Sequence, residues 1–398
     1  MSAPAKLPPF DPADPLGLDD LLSDEDLAVR DTVRSWAADR VLPHIAEWYE
    51  SGELPIRELA RELGAMGALG MSLTGHGCAG ATAVQYGLAC LELEAADSGI
   101  RSLVSVQGSL AMYAIWKFGS EEQKERWLPS MAAGETIGCF GLTEPDHGSD
   151  PAGMRTYAKR DGTDWVLNGR KMWITNGSVA GVAVVWAQTD DGSGGIRGFA
   201  VPTDTPGFSA PEIKHKWSLR ASVTSELVMD EVRLPADAVL PGVTGLKGPL
   251  SCLSHARYGI VWGAMGAARA SFEAAVDYAK SREQFGRPIG GFQLTQAKLA
   301  DMAVELHKGV LLAHHLGRRM DAGRLRPEQV SFGKLNNVRE AIEICRTSRT
   351  ILGANGISLE YPVMRHATNL ESVLTYEGTV EMHQLVLGKA LTGLDAFR

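Results

Sequence analysis

The sequence contains no apolar run near the roughly 18 residues that a membrane-spanning helix needs, so it predicts no membrane span. It has only five cysteines among 398 residues, and they form no CxxC pair. An odd, dispersed set of this kind indicates reduced thiols in a reducing compartment. The proline-rich, acidic start lacks the features of a secretory signal or an arginine-rich transit peptide. We therefore expect a cytoplasmic protein.

Positive charge is in deficit, because 39 Lys and Arg face 48 Asp and Glu, a net charge of −9. Such a chain is a poor general binder of nucleic acid or anionic lipid, since both are polyanions. The Gly-x-Ser-x-Gly motif of many hydrolases and the HExxH motif of zinc proteases are also absent. Apolar residues make up 44% and charged residues 22%, which excludes extensive disorder. The length suits two or three domains of about 150 residues.

The residue pattern changes twice along the chain and predicts an α+β multidomain fold. After an N-terminal tail at 1–22, residues 23–134 are rich in Ala, Leu and Glu and predict a helical domain. Short β-branched and aromatic runs in 135–246 predict a β domain. Long amphipathic stretches in 247–398 predict a helical bundle.

Two glycine patterns refine this organisation. Asn168-Gly169 and Asn176-Gly177 lie between or beside the predicted strands, where Asn-Gly favours hairpins. Gly75-His-Gly-Cys-Ala-Gly80 matches the GxGxxG dinucleotide fingerprint, but it follows a predicted helix rather than a parallel strand. We interpret that match as a loop between helices.

Two segments each allow both a functional and a purely structural interpretation. Cys139 to Asp150 is rich in Gly, Ser and Thr, so its backbone N–H groups suit a flavin edge or a phosphate, although the same composition makes an ordinary turn. Glu377 precedes Gly378 and Thr379, a candidate helix N-cap. Glu377 is then either a solvated loop carboxylate or a general base whose pKa is raised by desolvation.

A third segment surrounds Arg101, which shares a helix face with Ser105 at a spacing of four residues. Arg101 is also four residues from Asp97, so the two side chains are candidates for an ordinary surface ion pair. Alternatively, Arg101 points inward and receives a substrate carboxylate through two hydrogen bonds. The residues themselves leave both alternatives open.

Five motifs occur in the order typical of acyl-CoA dehydrogenases, and the chain resembles that family over essentially its whole length past the first twenty residues. They are Phe140-Gly-Leu-Thr-Glu-Pro-Asp-His-Gly-Ser-Asp150, Trp173-Ile-Thr-Asn176, Ser281-Arg-Glu-Gln-Phe-Gly-Arg-Pro288, Leu352-Gly-Ala-Asn-Gly356 and Tyr376-Glu-Gly-Thr379. Segments such as Asp97-Ser-Gly-Ile-Arg-Ser102, Ser218-Leu-Arg-Ala-Ser222 and Ala256-Arg-Tyr-Gly-Ile260 resemble the glutaryl-CoA dehydrogenase subfamily in particular.

The resemblance implies an N-terminal helical domain, a middle β-barrel-like domain and a C-terminal four-helix bundle. It also implies FAD as cofactor, a homotetramer, and an electron-transferring flavoprotein as electron acceptor. By the same resemblance, Glu377 matches the catalytic base. The implied FAD-binding residues are Phe140, Leu142, Thr143, Ser149, Trp173, Ile174, Thr175, Arg282, Gln293, Gly353 and Thr379. The implied substrate-binding residues are Glu94, Arg101, Ser102, Ser149, Arg257, Tyr376 and Gly378.

The activity that the resemblance implies is oxidative decarboxylation of glutaryl-CoA to crotonyl-CoA and CO2. Arg101 decides the substrate, since an inward Arg in a pocket for an aliphatic tail would be a buried unpaired charge. Two alternatives stay within the family: a short-chain acyl-CoA dehydrogenase acting on a monoacid thioester, and an enzyme that stops at glutaconyl-CoA. A non-catalytic relative that binds DNA or a partner is disfavoured, because Glu377 is present and the net charge is acidic.

Overall fold

Helices, a β-sheet region and further helices follow one another in the order that the sequence predicts, so the expected fold class is confirmed. A computed structural model describes residues 10–190 and 195–396. The first region contains α1 (Asp24–Arg40), α2 (Ile45–Ser51), α3 (Ile56–Ala65), β1 (Thr74–Gly75), β2 (Cys78–Ala79), α4 (Ala83–Ala96), α5 (Ser98–Ser105), α6 (Tyr113–Phe118) and α7 (Glu121–Ala132). A π-helical stretch, Val106–Met112, connects α5 to α6.

Local sequence explains where these helices begin. The Ser23 hydroxyl accepts from the Asp26 N–H, and the Asp26 carboxylate accepts from the Ser23 N–H, which forms a capping box at α1. The GxGxxG match falls in the small β1–β2 hairpin between α3 and α4. Its interpretation as a connection between helices is therefore confirmed.

The middle region is one curled seven-stranded sheet, as the β-barrel-like prediction requires. Its strands are β3 (Gly138–Gly141), β4 (Tyr157–Asp161), β5 (Asp164–Thr175), β6 (Val182–Thr189), β7 (Ile196–Pro202), β8 (Phe208–Ser209) and β9 (Thr224–Leu234). They are ordered β3-β6-β4-β5-β9-β8, and β7 pairs with β6. Strands β3 and β4 run parallel to β6, whereas the other pairs are antiparallel.

The hairpin predicted at Asn168-Gly169 is wrong. Both residues lie inside β5, where Gly169 has φ +144° and the register with β9 shifts. The Asn168 side chain bonds across to Glu231 through both its amide nitrogen and its carbonyl oxygen, so it stabilises a bulge instead of a turn. The β4–β5 turn contains Gly162 at φ +65°, and Asn176 turns the chain after β5 at φ +67°.

The last region contains α8 (Lys247–Ser281), β10 (Glu283–Gln284), β11 (Arg287–Pro288), α9 (Gln293–Asp321), α10 (Pro327–Leu352), α11 (Val363–Thr375) and α12 (Val380–Thr392). Helix α8 packs against α4, α9 and α10. The approach of α8 to α4 requires glycine, because a Cβ at Gly266 would lie 1.9 Å from the Leu91 carbonyl oxygen. The helices α4, α5, α8, α10 and α11 thus meet around one interior.

Two further properties match the composition. All five cysteines are free, and four of them are buried. In the two described stretches of the chain, no helix is long and apolar enough to cross a membrane.

Candidate active site

Glu377 lies in the tight turn between α11 and α12. Thr379 caps α12 as predicted, because its hydroxyl accepts from the Met382 N–H at 3.4 Å. Glu377 has φ +52°, and the following Gly378 has φ +104°. A side chain is strained in the left-handed region, so the surrounding contacts must hold this conformation.

The carboxylate of Glu377 has a buried oxygen without a partner. Its Oε2 accepts no hydrogen bond from the described residues, so the solvated loop carboxylate is not what the structure shows. Burial away from water raises the pKa of Glu377. The positive charges of Arg101, Lys334 and Arg257, in that order, partly oppose this increase in the pKa. A carboxylate of this kind is suited to accept a proton from a weak carbon acid.

Two cations hold the backbone carbonyls of the turn. Arg257 Nε, on α8, donates to the carbonyl oxygen of Glu377 at 2.6 Å. Lys334 Nζ, on α10, donates to the carbonyl oxygens of Tyr376 at 2.6 Å and of Gly378 at 2.5 Å. Neither cation donates to the Glu377 carboxylate, so both stabilise the turn without occupying that carboxylate.

Sequence reasoning missed Lys334, although a signal was present. Lys334 is 2% exposed and follows Val330 by one helical turn and precedes Val338 by another, on the buried stripe of α10. A lysine on an apolar stripe has no surface role, which marks it as a candidate. His383 on α12 was also missed; its Nδ1 lies 3.0 Å from the Ser331 Oγ of α10, and burial lowers its pKa to about 3.

Arg101 pairs with Glu94 inside the protein. Arg101 Nε donates to Glu94 Oε2 at 2.6 Å, and the two side chains are 1% and 0% exposed. Arg101 Nη2 donates to the Tyr376 hydroxyl, whereas Nη1 has no hydrogen-bond partner in the described structure. The guanidinium therefore retains donors for a ligand beside the Glu377 turn.

The predicted alternative, an Arg101–Asp97 pair, is wrong. Asp97 instead accepts from Arg365 Nη1 and from Asn369 Nδ2, both on α11. The expectation that Arg101 is unpaired without a dicarboxylic substrate also needs correction, because Glu94 already balances its charge. An inward Arg at this position therefore does not by itself exclude monoacid substrates.

Helix α8 leaves space for this ion pair at Gly263. A Cβ at Gly263 would lie 2.0 Å from Glu94 Oε2 and 3.3 Å from Arg101 Nε. Glu94 Oε1 accepts from the Ser98 hydroxyl at 2.8 Å, so both oxygens of Glu94 are engaged. Glu94, assigned to the substrate by resemblance, thus contacts Arg101 and is suited to orient it.

Two serine hydroxyls on α5 complete the polar lining. Ser102 Oγ and Ser105 Oγ are buried and have no hydrogen-bond partner among the described residues. Ser102 was predicted as a substrate-binding residue, whereas Ser105 was noted only for sharing the Arg101 face. Unpartnered buried hydroxyls are unfavourable unless a ligand or water satisfies them.

The residues predicted to face a flavin lie where β3 and β5 end. Met172 N–H donates to the Thr143 carbonyl oxygen at 2.8 Å, which joins these two segments. The register of β5 against β9 shifts between Lys171 and Ile174, and Trp173 in this bulge has φ +64° and is 60% exposed. A bulge re-aims a side chain. An exposed indole held in this way fits a planar ring system such as a flavin.

Other residues predicted to bind FAD in this region are less accessible than Trp173. Phe140, Leu142 and Ile174 are buried, and Phe140 packs against Trp186 with ring centroids 6.2 Å apart. Ser149 lies in the exposed loop after β3. The three buried residues are therefore suited to support the exposed residues of this predicted FAD site from the protein interior.

Three further residues predicted to bind FAD, Arg282, Gln293 and Gly353, lie at helix ends of the C-terminal region. Arg282 directly follows α8, Gln293 begins α9, and Gly353 follows α10 with φ +60°. Asn355 Nδ2 donates to the Tyr278 hydroxyl at 3.1 Å, so the turn after α10 lies beside the end of α8. All three residues are exposed, and their roles stay predictions.

Family models match three consecutive parts of the chain. The N-terminal, middle and C-terminal domains of acyl-CoA dehydrogenase match residues 23–135, 139–232 and 244–392. The human mitochondrial short-chain specific acyl-CoA dehydrogenase is 35% identical over 361 residues, which cover 89% of this chain and 87% of that protein.

Two solved structures from Mycobacterium smegmatis are more similar. A glutaryl-CoA dehydrogenase is 72% identical with a TM-score of 0.95, covering 97% of this chain and 99% of that one. A glutaryl-CoA dehydrogenase in complex with FADH2 is 64% identical with a TM-score of 0.95, covering 98% of this chain and 100% of that one.

Proposed function

Because this chain belongs to the acyl-CoA dehydrogenase family and is an FAD-dependent acyl-CoA dehydrogenase, we propose that it converts glutaryl-CoA to crotonyl-CoA and CO2. The family and the cofactor expected from the sequence motifs are confirmed, whereas the substrate and the decarboxylation are our proposal. The observation that carries the proposal is the buried Arg101 beside the Glu377 turn, whose Nη1 has no hydrogen-bond partner in the part of the chain that the structure describes. The identity of 72% with a glutaryl-CoA dehydrogenase supports it.

The distal carboxylate of glutaryl-CoA supplies the hydrogen-bond acceptors that the donors in this pocket lack. Within residues 10–190 and 195–396, Arg101 Nη1 and the buried hydroxyls of Ser102 and Ser105 have no hydrogen-bond partner. A hydrogen bond to a charged group contributes about 1.5–3 kcal/mol. Several such bonds favour a dicarboxylic thioester over a monoacid of the same length.

Glu377 is the base in this proposal. Its Oε2 takes the α-proton of the thioester, and its backbone N–H, which bonds to no described residue, is free to donate to the thioester carbonyl. One donor to developing enolate charge is worth about 3–4 kcal/mol, and a placed base about 10²–10⁴-fold in rate. Arg257 and Gly378 are the adjacent substrate-side groups.

Bound FAD supplies the acceptor for the hydride that leaves the β-carbon. We propose that Thr143, Trp173 and Thr175 contact its ring system, and that Arg282 and Gln293 hold its other half. After oxidation, the bond between the γ-carbon and the carboxylate breaks, and its electron pair enters the unsaturated thioester. Glu377 then returns its proton to the γ-carbon, which gives crotonyl-CoA.

A second candidate is a short-chain monoacid dehydrogenase. The Glu94–Arg101 pair favours it, because the pocket is electrically balanced without a substrate carboxylate. A third outcome keeps glutaryl-CoA but ends at glutaconyl-CoA. Product analysis separates all three.

The test uses purified holoenzyme with an artificial acceptor and either glutaryl-CoA or butyryl-CoA, and identifies the CoA products by mass spectrometry. Crotonyl-CoA from glutaryl-CoA with little turnover of butyryl-CoA is the expected result. Glutaconyl-CoA would contradict the decarboxylation, and preference for butyryl-CoA would contradict the substrate. R101Q should lose glutaryl-CoA turnover selectively. The matched control is R365Q, whose buried arginine bonds to Asp97 and should affect stability without changing the substrate preference.

We also propose a homotetramer with an electron-transferring flavoprotein as acceptor. Three large apolar side chains are exposed near the helix ends that carry Arg282 and Gln293. They are Phe285, Leu294 and Ile357, which are 94%, 80% and 63% exposed. Apolar exposure of this extent favours burial by another subunit. Sedimentation of the holoenzyme and reduction of an added electron-transferring flavoprotein check the two statements. The domain limits at 22, 134 and 246 and the cytoplasmic location stay predictions.

A further inference from the structure

Lys334 is a buried charged residue that the proposed reaction does not use directly. Its Nζ bridges the carbonyl oxygens of Tyr376 and Gly378 at 2.6 and 2.5 Å. These two carbonyls flank Glu377, so the lysine connects α10 to both sides of the residue. A single ammonium group therefore spans the turn that carries the base.

The conformation of the turn explains why such a connection is needed. Glu377 and Gly378 have consecutive positive φ angles of +52° and +104°. A left-handed glutamate relaxes towards other backbone conformations unless its surroundings prevent this. Arg257 holds the central carbonyl of the turn at 2.6 Å, and Lys334 holds the two outer ones.

The contacts of Lys334 avoid the carboxylate itself. Glu377 Oε2 has no hydrogen-bond partner among the described residues, although the positive charge of Lys334 acts to lower the pKa of this carboxyl group. A direct Lys–Glu ion pair would occupy the oxygen that has to accept the proton. Binding to the carbonyls keeps the positive charge near the base and leaves that oxygen available.

We propose that Lys334 is a positioning residue of this acyl-CoA dehydrogenase: it fixes the left-handed turn and so presents the unpartnered carboxylate of Glu377 to the substrate. The inference rests on the proposed role of Glu377 as base, but not on the identity of the acyl chain. Lys334 itself bonds to backbone carbonyls and touches no reacting atom.

The charge of Lys334 has a separate and measurable consequence. It lowers the pKa of Glu377 against the larger effect of burial, so its loss should raise that pKa. Burial lowers the pKa of Lys334 itself, and Glu377 opposes this. The groups that face Lys334 are Glu377 and Tyr376 in the turn, Arg257 on α8, Arg101 on α5 and His383 on α12.

The experiment compares K334M with wild-type holoenzyme in kcat, KM and the pH dependence of kcat. We expect kcat to fall roughly tenfold to hundredfold with little change in KM, because the base is misplaced while substrate contacts remain. The acid limb of the kcat profile should move to higher pH by about one unit, since the base keeps its proton longer. K334R, which keeps the charge, should leave this limb in place. K308M, at an exposed lysine of α9, is the control and should behave as wild type.

Three results would overturn the proposal. They are a wild-type kcat and pH profile in K334M, a loss that appears only in KM, and a shifted acid limb in K334R. If K334M does not retain FAD, K334Q replaces it with the same expected shift and the same contradicting results. E377Q separates this proposal from the proposed base: retained turnover in E377Q refutes the base, whereas an inactive E377Q with a normal K334M refutes only Lys334.

Discussion

Two buried lysine–glutamate neighbourhoods in this protein differ in how completely they are bonded. In the sheet region, Lys171 Nζ donates to Glu144 Oε1 at 2.8 Å and to the Leu142 carbonyl oxygen at 3.1 Å. Glu144 also accepts from the N–H groups of Arg155 and Thr156 at 2.6 and 2.9 Å. At the turn between α11 and α12, the hydrogen bonds of Lys334 to described residues all go to backbone carbonyls, and Glu377 Oε2 has no partner among those residues.

The pKa values of Glu144 and Glu377 are shifted in opposite directions as a result. Burial acts to raise the pKa of Glu144, but hydrogen bonds from Arg155 N–H, Lys171 and Thr156 outweigh it and lower the pKa to about 2. For Glu377, burial prevails and raises the pKa. A fully bonded carboxylate stabilises structure and is inert as a base, whereas an incompletely bonded one stays available for proton transfer.

Neutralising each of the two glutamates should have the largest effect, and a different one at each site. E377Q should lower kcat by at least about 10²–10⁴-fold, because the proton acceptor is lost, and should keep its FAD. E144Q should instead lower the melting temperature and leave the kcat of the folded enzyme nearly unchanged. Steady-state kinetics with FAD absorbance and calorimetry on both variants test the contrast. Substantial turnover in E377Q would show that the base lies elsewhere.

Removal of Lys171 should have the next largest effect, a decrease in the free energy of unfolding. K171M leaves the buried Glu144 without its cation, and breaking such a pair destabilises a protein by about 3–5 kcal/mol. The double variant K171M/E144M should recover much of this loss, because both charges are gone. Denaturant unfolding of the single and double variants measures the coupling. Equal stability of K171M and wild type would contradict the structural role of the pair.

Gly263 tests the third buried pair, Glu94–Arg101. G263A places a methyl group against Glu94 Oε2, so we expect roughly tenfold weaker use of glutaryl-CoA relative to butyryl-CoA. G259A is one helical turn away on α8, where a Cβ would lie 2.9 Å from the Tyr86 hydroxyl and not against the ion pair. It should leave the substrate preference unchanged. Competition between the two thioesters provides the measurement.

The pH dependence of stability should have opposite signs at the two glutamates. The pKa of Glu144 is lowered from 4.5 to about 2, so its stabilisation is present above pH 4.5 and is lost as pH falls towards 2. The stability gap between wild type and E144Q should narrow over that range. The pKa of Glu377 is raised, so its ionisation disfavours the fold as pH rises. Unfolding free energies measured against pH for both variants check the two signs.

Local signals in the sequence predicted much of the fold. The capping residue Thr379 acts where the pattern indicated, and the change from helical periodicity to β-branched runs marks the sheet region. The hairpin at Asn168-Gly169 failed because the same dipeptide also suits a bulge, and only its contact with Glu231 decides between the two. Dipeptide preference does not contain that long-range contact.

At the candidate site, too, local sequence does not reveal which distant residues are in contact. Motif residues such as Glu377 and Arg101 stand out in the sequence, but the partner of Arg101 is Glu94 rather than the equally well spaced Asp97. Lys334 shows only a weak signal, because a lysine on an apolar stripe does not reveal which carbonyls it will bind.

Residue patterns along the chain suffice to predict the order of helical and strand regions, the cap at Thr379 and the motifs of an FAD-dependent acyl-CoA dehydrogenase. These features depend on neighbours within a few residues, so they can be identified along the chain. Which buried charges are neutralised and which remain available for a ligand depends instead on tertiary packing. Arg101, Lys334 and Glu377 come from three distant segments, and burial, which sets their pKa values and their bonding, exists only once those segments pack together.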